Sequence, residues 1–328
     1  MFFKWDHRKK QFNKVNLIAA NPNPPHARKV WGAVLFKITV NNRNKNLNNM
    51  KTWKRFKGFA IGMATLGLLC AAVNGASIYT DGAAPYTVFG LSNVTVNLSN
   101  TKIYGNVGVG PGADLKLMAP TTVYGNIYLD ATATESASAG TYTGTKYTGL
   151  NLVPAVQYVL LLSSTSAGMT PTATYGAVNS DLTINGNGGV NVIDISSIDL
   201  NNFNLTLNGG VNDLFYINVA SSVTLTGTAS IIETGGAGPL NVLLNVLGTG
   251  TSVSTHVGDQ INGIILDPQG SVNLDGTFNG QIIAGGVQLG LLSGAVVNSV
   301  PEPTTAGCFL LGLGALACFQ RFTQNRRS

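Results

Sequence analysis

Thr101-Lys102-Ile103-Tyr104-Gly105-Asn106-Val107 and Thr121-Thr122-Val123-Tyr124-Gly125-Asn126-Ile127 are one pattern written twice, twenty residues apart. A second echo pairs Asn262-Gly263-Ile264-Ile265 with Asn279-Gly280-Gln281-Ile282-Ile283, seventeen residues on. Short β-branched alternations punctuated by Asn and Gly at this period describe one coil of a parallel β-helix. Each coil turns an apolar row inward, and the same row of the next coil lies about 4.8 Å above it. Glycine and asparagine are expected to supply positive φ angles at the corners. Alternation alone would also fit a β-sandwich; the self-similarity selects the all-β solenoid.

Strand-like runs continue the scheme at Val94–Leu98, Leu182–Ile184, Asn191–Ile195, Asn204–Leu207 and Val223–Thr226. Leu214–Val219 and Leu240–Leu247 are more continuously apolar, as strands covered on both sides should be. One stretch departs from the pattern. Pro154 sits where a helix's first turn tolerates proline, and no breaker follows before Gly168, so a helix is expected over Pro154–Ala167, lying along one solenoid face.

Charge is distributed by region. Of the 20 Lys and Arg, 14 precede position 58 and three follow position 320. Residues 77–300 hold only Lys102, Lys116 and Lys146 against 12 acidic residues, a formal charge of −9 although the whole chain reads +6. The positive charge therefore lies in the tails, which excludes a nucleic-acid-binding reading of the central region. Cys70, Cys308 and Cys318 all fall in apolar terminal segments, so the middle has no disulfide framework, Cys-based zinc site or thiol nucleophile.

Both ends read as addresses. Residues 1–49, with ten Lys/Arg and one acid, are an over-extended start or a disordered leader. From Met50, the basic Lys51, Lys54, Arg55 and Lys57 precede an apolar run over Gly58–Val73 and small residues at 74–77, the layout of a secretory signal over 50–76 cleaved near Ala76. At the other end, Val300-Pro301-Glu302-Pro303 precedes an apolar run over Thr304–Gln320 and then Arg321, Arg326 and Arg327. Seventeen residues make about 25 Å of helix, a short transmembrane span. In order and spacing, residues 300–328 resemble the PEP-CTERM sorting signal of Gram-negative bacteria. The resemblance implies processing by an exosortase after signal peptidase, with a membrane-anchored precursor becoming a cell-surface or secreted protein. Plain anchoring by an uncleaved helix is the alternative at either end.

The order of elements between the signals, Gly105–Gly112, a helix, strands, then Asn262–Gly270, resembles bacterial ice-binding-protein-like β-solenoids over about residues 86–298. It implies a discontinuous parallel β-helix over 77–299 with a helix along one side; fold alone does not imply ice binding.

Candidate chemistry is sparse. His256 is the one histidine of the central region, and nothing places it with Asp259 and a serine as a triad. Asp194 with Asp199, or Asp267 with Asp275, could form the paired acids of a polysaccharide-active β-helix enzyme; as single acids at coil edges they read as solubilising charges. No calcium repeat, zinc set or phosphate loop appears, and no cofactor or metal is expected. Thr-x-Thr pairs at 132/134, 141/143, 172/174, 224/226 and 249/251 do not follow one coil period, as ranks for ice would. The expectation is a non-enzymatic adhesive or structural protein whose Asn/Thr-rich faces contact extracellular polysaccharide, with ice binding as the first alternative and a polysaccharide-active enzyme as the second.

Overall fold

The computed structural model describes residues 77–78 and 80–300. The leader, the expected signal segment with Ala76, and the sorting residues Pro301, Glu302, Pro303 and Arg321 lie outside these; Val300 lies within. Among the described residues, no helix is long and apolar enough to cross a membrane.

Among the described residues, twenty-four strands, all paired in parallel, form three ladders around one apolar interior. The first face stacks β10 (Lys146–Leu150), β7 (Ile127–Asp130), β4 (Val107–Val109) and β1 (Val88–Gly90). It continues through the C-terminal halves of β22 (Thr277–Ala284) and β20 (Gln260–Asp267), then β18 (Val242–Val246), β15 (Leu214–Val219), and the starts of β13 (Val190–Asn201) and β11 (Ala173–Val178). The second stacks β8 (Thr134–Ser138), β5 (Asp114–Met118), β2 (Thr95–Ser99), β23 (Gln288–Leu291), β21 (Gly270–Leu274), β19 (Gly250–Ser254), β16 (Val223–Thr226), and the ends of β13 and β11. The third stacks β9 (Thr141–Tyr142), β6 (Thr122–Val123), β3 (Lys102–Tyr104) and β24 (Val296–Asn298), the N-terminal halves of β22 and β20, then β17 (Ser230–Thr234), β14 (Asn204–Asn208) and β12 (Leu182–Asn185). Uniformly parallel pairing rules out the sandwich.

The sequence echoes are coils in register: Ile103 lies against Val123, and Asn262-Gly263 against Asn279-Gly280. Inward rows such as Leu98, Leu117 and Leu291, or Ile103, Val123 and Val297, are fully buried, each contributing about 1.5–3 kcal/mol of transfer free energy. Corner glycines are under double constraint. Gly280 has φ +144°, and a Cβ there would lie 2.0 Å from the Gly263 carbonyl oxygen. The expectation about corner asparagines is corrected in part. Asn93, Asn100 and Asn202 take positive φ, but Asn106 and Asn126 are not among the positive-φ residues. Their side chains carry the corner instead: Asn106 Oδ1 accepts from the Asn126 N–H at 2.9 Å, and Asn126 Oδ1 from the Thr145 N–H at 2.8 Å.

The chain does not run monotonically. It climbs from β1 to β10, crosses back in the helix α1 (Val153–Ala167), and re-enters at the opposite end in β11. It then coils inward until β22, β23 and β24 pair with β1, β2 and β3. Helix α1 begins one residue before the expected Pro154. Leu152 offers no side-chain cap, but the Leu152 N–H donates to Asp130 Oδ2 at 2.9 Å. Val156 and Val159 bury against Phe89, Leu243, Ile264, Leu266 and Ile283 of the first face. Ser163 and Ser166 donate to Asn245 and Asn218 at 2.6 and 2.8 Å, fixing how the helix seats. The apolar runs at β15 and β18 are therefore covered on both sides, as expected.

At the β8/β10 end, positions that face inward carry charge. Glu135 stands in register with buried Leu115, and Lys146 with buried Ile127. Their side chains pair at 2.7 Å across the open end of the interior. Inward-pointing charges block edge-to-edge growth of a sheet.

Two outcomes follow from this architecture. Gly280→Ala should lower stability by about 2–4 kcal/mol, read as a shift in the urea midpoint. Replacing Glu135 and Lys146 together by Leu should leave stability within about 2 kcal/mol while producing concentration-dependent association in light scattering.

Candidate functional site: the two uncovered faces

Helix α1 covers the first face, leaving the second and third open. Because side chains alternate along each strand, one outward residue per coil falls into each column. On the third face the middle column reads Thr183, Thr206, Ile232, Asn262, Asn279, Asn298, Tyr104 and Tyr124. Asn298 Nδ2 donates to Asn279 Oδ1 at 2.8 Å, Asn279 Nδ2 to Asn262 Oδ1 at 2.7 Å, and Asn262 Nδ2 to Glu233 Oε2 at 2.9 Å. The Tyr104 and Tyr124 rings stack at 4.7 Å and 4°, and both are about two-fifths exposed. Burial pushes the Glu233 carboxyl above the usual range, against the opposing effect of the Asn262 bond.

The second face is chemically mixed. Its middle column runs Lys116, Asn97, Gly290, Asn273, Ser254, Thr224 and Asp199. The Thr-x-Thr pairs form no single rank: Thr224 and Thr226 lie on the second face, Thr141 on the third, and Thr174 on the first.

Of the four acids that the sequence reading took for solubilising charges, Asp267 is corrected: it is buried and accepts a main-chain N–H. Asp130, Asp181, Asp213 and Asp259 likewise accept from main-chain N–H groups. Asp213 accepts from Gly188 and Gly210 at 2.7 and 2.8 Å, from Gly189 at 3.1 Å, and from Asn191 Nδ2 at 3.0 Å. Asp130 holds Thr132 and Leu152, and Asp259 holds Ala229 and His256. Burial alone would raise the Asp213 carboxyl, but the Asn191 amide and the Gly210, Gly188 and Gly189 N–H groups together hold it below the usual value. Asp267 goes the other way. It is fully buried, with Ser252 and the Gly270 N–H as partners, and burial outweighs them and raises its carboxyl.

Neither proposed acid pair converges. Asp194 and Asp199 leave the bent β13 on different faces, the first bonded to Asn218 Nδ2 at 3.1 Å on the helix-covered side. Asp267 and Asp275 flank opposite ends of β21. His256 is exposed, as expected; its Nδ1 lies 3.1 Å from the Leu225 carbonyl, and Asp259 meets its main chain rather than its ring. The best-formed cleft, of about 410 Å³, is lined by Ser77, Ile78, Tyr86, Gly105, Leu240 and Val300 among others, with no convergent acid or base. Both ends of the described chain thus open at one corner.

The sequence of residues 71–297 matches the profile of a family described as an ice-binding-like adhesive domain. Among solved structures, the fold resembles an ice-binding protein from the Antarctic ascomycete Antarctomyces psychrotrophicus, at 18% identity and TM-score 0.51 over 68% of this chain and 98% of that one. It also resembles an ice-binding protein from an Antarctic Flavobacteriaceae bacterium, at 18% identity and TM-score 0.50 over 70% of this chain and 50% of that one. At such identities the likeness establishes the fold. No curated protein matches the sequence.

The opposed carboxyl environments give a paired outcome. Asp213→Asn turns an amide toward N–H donors and should cost about 2–4 kcal/mol at pH 7. A carboxyl held below its unfolded value stabilises above that value and loses the contribution as pH falls through the folded one. The variant should therefore show a flatter loss of stability below about pH 4 than the parent. Asp267 has the raised value, so its ionisation opposes folding as pH rises. Asp267→Asn keeps the acceptor for Gly270 and should be neutral or mildly stabilising at pH 7. Denaturant midpoints across pH read both.

Proposed function

Because the chain belongs to the ice-binding-like adhesive domain family, we propose that it is an exported surface adhesin that holds extracellular polysaccharide by many weak contacts. The observation that carries this reading is the run of outward polar side chains, one per coil from Asn262 through Asn279, Asn298 and Tyr104 to Tyr124, on the open third face. Such a surface offers the same contact many times, and avidity grows with the number engaged at once. With Asp130, Asp213 and Asp259 held as turn ligands, and with neither Asp194 and Asp199 nor Asp267 and Asp275 converging, these acids give no support to a cleaving enzyme.

The ends complete the proposal. The basic and apolar run over 50–76 directs export with cleavage near Ala76. The Val300-Pro301-Glu302-Pro303 motif, the apolar stretch and Arg321 direct sorting at the membrane, with exosortase and signal peptidase as processing partners. The opening of Ser77 and Val300 at one corner supports this, since both tethers would leave from the same edge.

A second reading, binding of ice, draws on the family and on the fold shared with ice-binding proteins. Against it stand the mixed columns and the scattered Thr pairs.

Incubated with its producer's extracellular polymer, the purified chain should co-sediment with it, and no retention would remove the adhesive reading. Inhibition of ice recrystallisation by the same preparation would favour the second. Intact mass from fractionated cells should show termini near Ala76 and around Pro301–Pro303.

A further inference from the structure

Five consecutive coils of the third face carry an ordered strip, Asn262, Asn279, Asn298, Tyr104 and Tyr124, and Glu233 of the neighbouring coil accepts from Asn262 at its end. Two distant parts of the sequence, 233–298 and 104–124, meet there because β24 docks on β3. The amides are already aligned. An asparagine side chain has two donor hydrogens and an acceptor oxygen with two lone pairs. The Asn279–Asn262 and Asn298–Asn279 bonds use one donor hydrogen of each donor and one lone pair of each acceptor. Asn262 Oδ1 also accepts from Gln260 Nε2 at 2.9 Å, so Asn262 keeps only a donor hydrogen for an outside partner. Asn279 and Asn298 keep both a donor hydrogen and acceptor capacity, and since all three are held in a fixed orientation, ordering them on binding costs little further rotamer entropy. Beyond Asn298, the stacked tyrosines present ring edges and phenol hydroxyls, an apolar body with a polar tip.

The strip presents half-buried amides and exposed phenols, all uncharged. Lys102 flanks it and Glu233 closes one end. The surrounding region carries three lysines against 12 acids, so its field disfavours a polyanion approaching the surface. The second face, by contrast, places Lys116 and Asp199 in its middle column and interrupts it with Gly290.

Resting on the adhesive reading above, we infer that the polymer recognised is an uncharged polysaccharide, laid along the solenoid axis on the Asn262–Asn279–Asn298–Tyr104–Tyr124 strip. Successive sugar hydroxyls pair with successive amides, and the tyrosines add hydroxyl and apolar contact at one end.

The test uses the full chain in affinity electrophoresis through gels holding dextran, hydroxyethylcellulose or alginate, beside sedimentation with the producer's polymer. The expected result is retardation by at least one neutral glycan and none by alginate. Tyr104→Ala with Tyr124→Ala should weaken retardation at least tenfold. Tyr104→Phe with Tyr124→Phe keeps the stack, removes only the hydroxyls, and should weaken it several-fold. Lys116→Ala and Asn273→Ala on the second face should change nothing. Neutral-glycan binding unaltered in both tyrosine pairs, or lost only in the second-face variants, would overturn the strip. Preference for alginate, or retention on the producer's polymer with none on either neutral probe, would overturn the uncharged ligand and leave the adhesive reading standing. Retention on nothing would bring down that reading itself.

Discussion

The parallel hydrogen-bonded register between one coil and the next decides where every other group in the molecule stands. It puts Ile103 under Val123 and Val297, and so builds the interior. The same register puts Asn262 beside Asn279 beside Asn298, and so builds a surface. Inside, the stacked rows exclude water from aliphatic side chains. Outside, they turn a loose preference for Asn and Thr into columns. A shift of one residue in any coil would exchange the two sets, which makes the corners, where register is set, the most constrained parts of the chain.

That constraint explains where the acids went. A coil of about twenty residues must turn three times, and each turn leaves main-chain N–H groups without ladder partners. In a region with so few basic residues, carboxylates are the strongest acceptors at hand, and hydrogen bonds to charged groups are among the stronger ones. Asp130, Asp213 and Asp259 meet this need. The middle of the third face is left largely to amides, hydroxyls and phenols, so its chemistry differs in kind from that of the corners.

The sequence already contained much of this. The Thr101–Val107 and Thr121–Ile127 repeat disclosed the coil, Leu214–Val219 disclosed a strand covered on both sides, and Pro154 disclosed the helix to within one residue. Other features depend on contacts between segments far apart in the chain. Nothing local to Asp213 distinguishes a turn ligand from a surface charge, because three of its donors are Gly188, Gly189 and Asn191, more than twenty residues away. Glu135 and Lys146 read as ordinary surface residues until the register with Leu115 and Ile127 points them inward. The strip of amides and tyrosines is divided between two stretches, and neither half alone suggests the other. A spacing of seventeen from Asn262 to Asn279 and of nineteen from Asn279 to Asn298 was the available signal.

The meeting of β22, β23 and β24 with β1, β2 and β3 has a consequence in time. The first strands made wait, with one flank unpaired, for strands some 190 residues later. Contacts of such separation slow folding, since a long loop must close before they form. The stack therefore closes last, when nearly the whole of the described chain is available to it, and the N-terminal coils stay open on one flank until then.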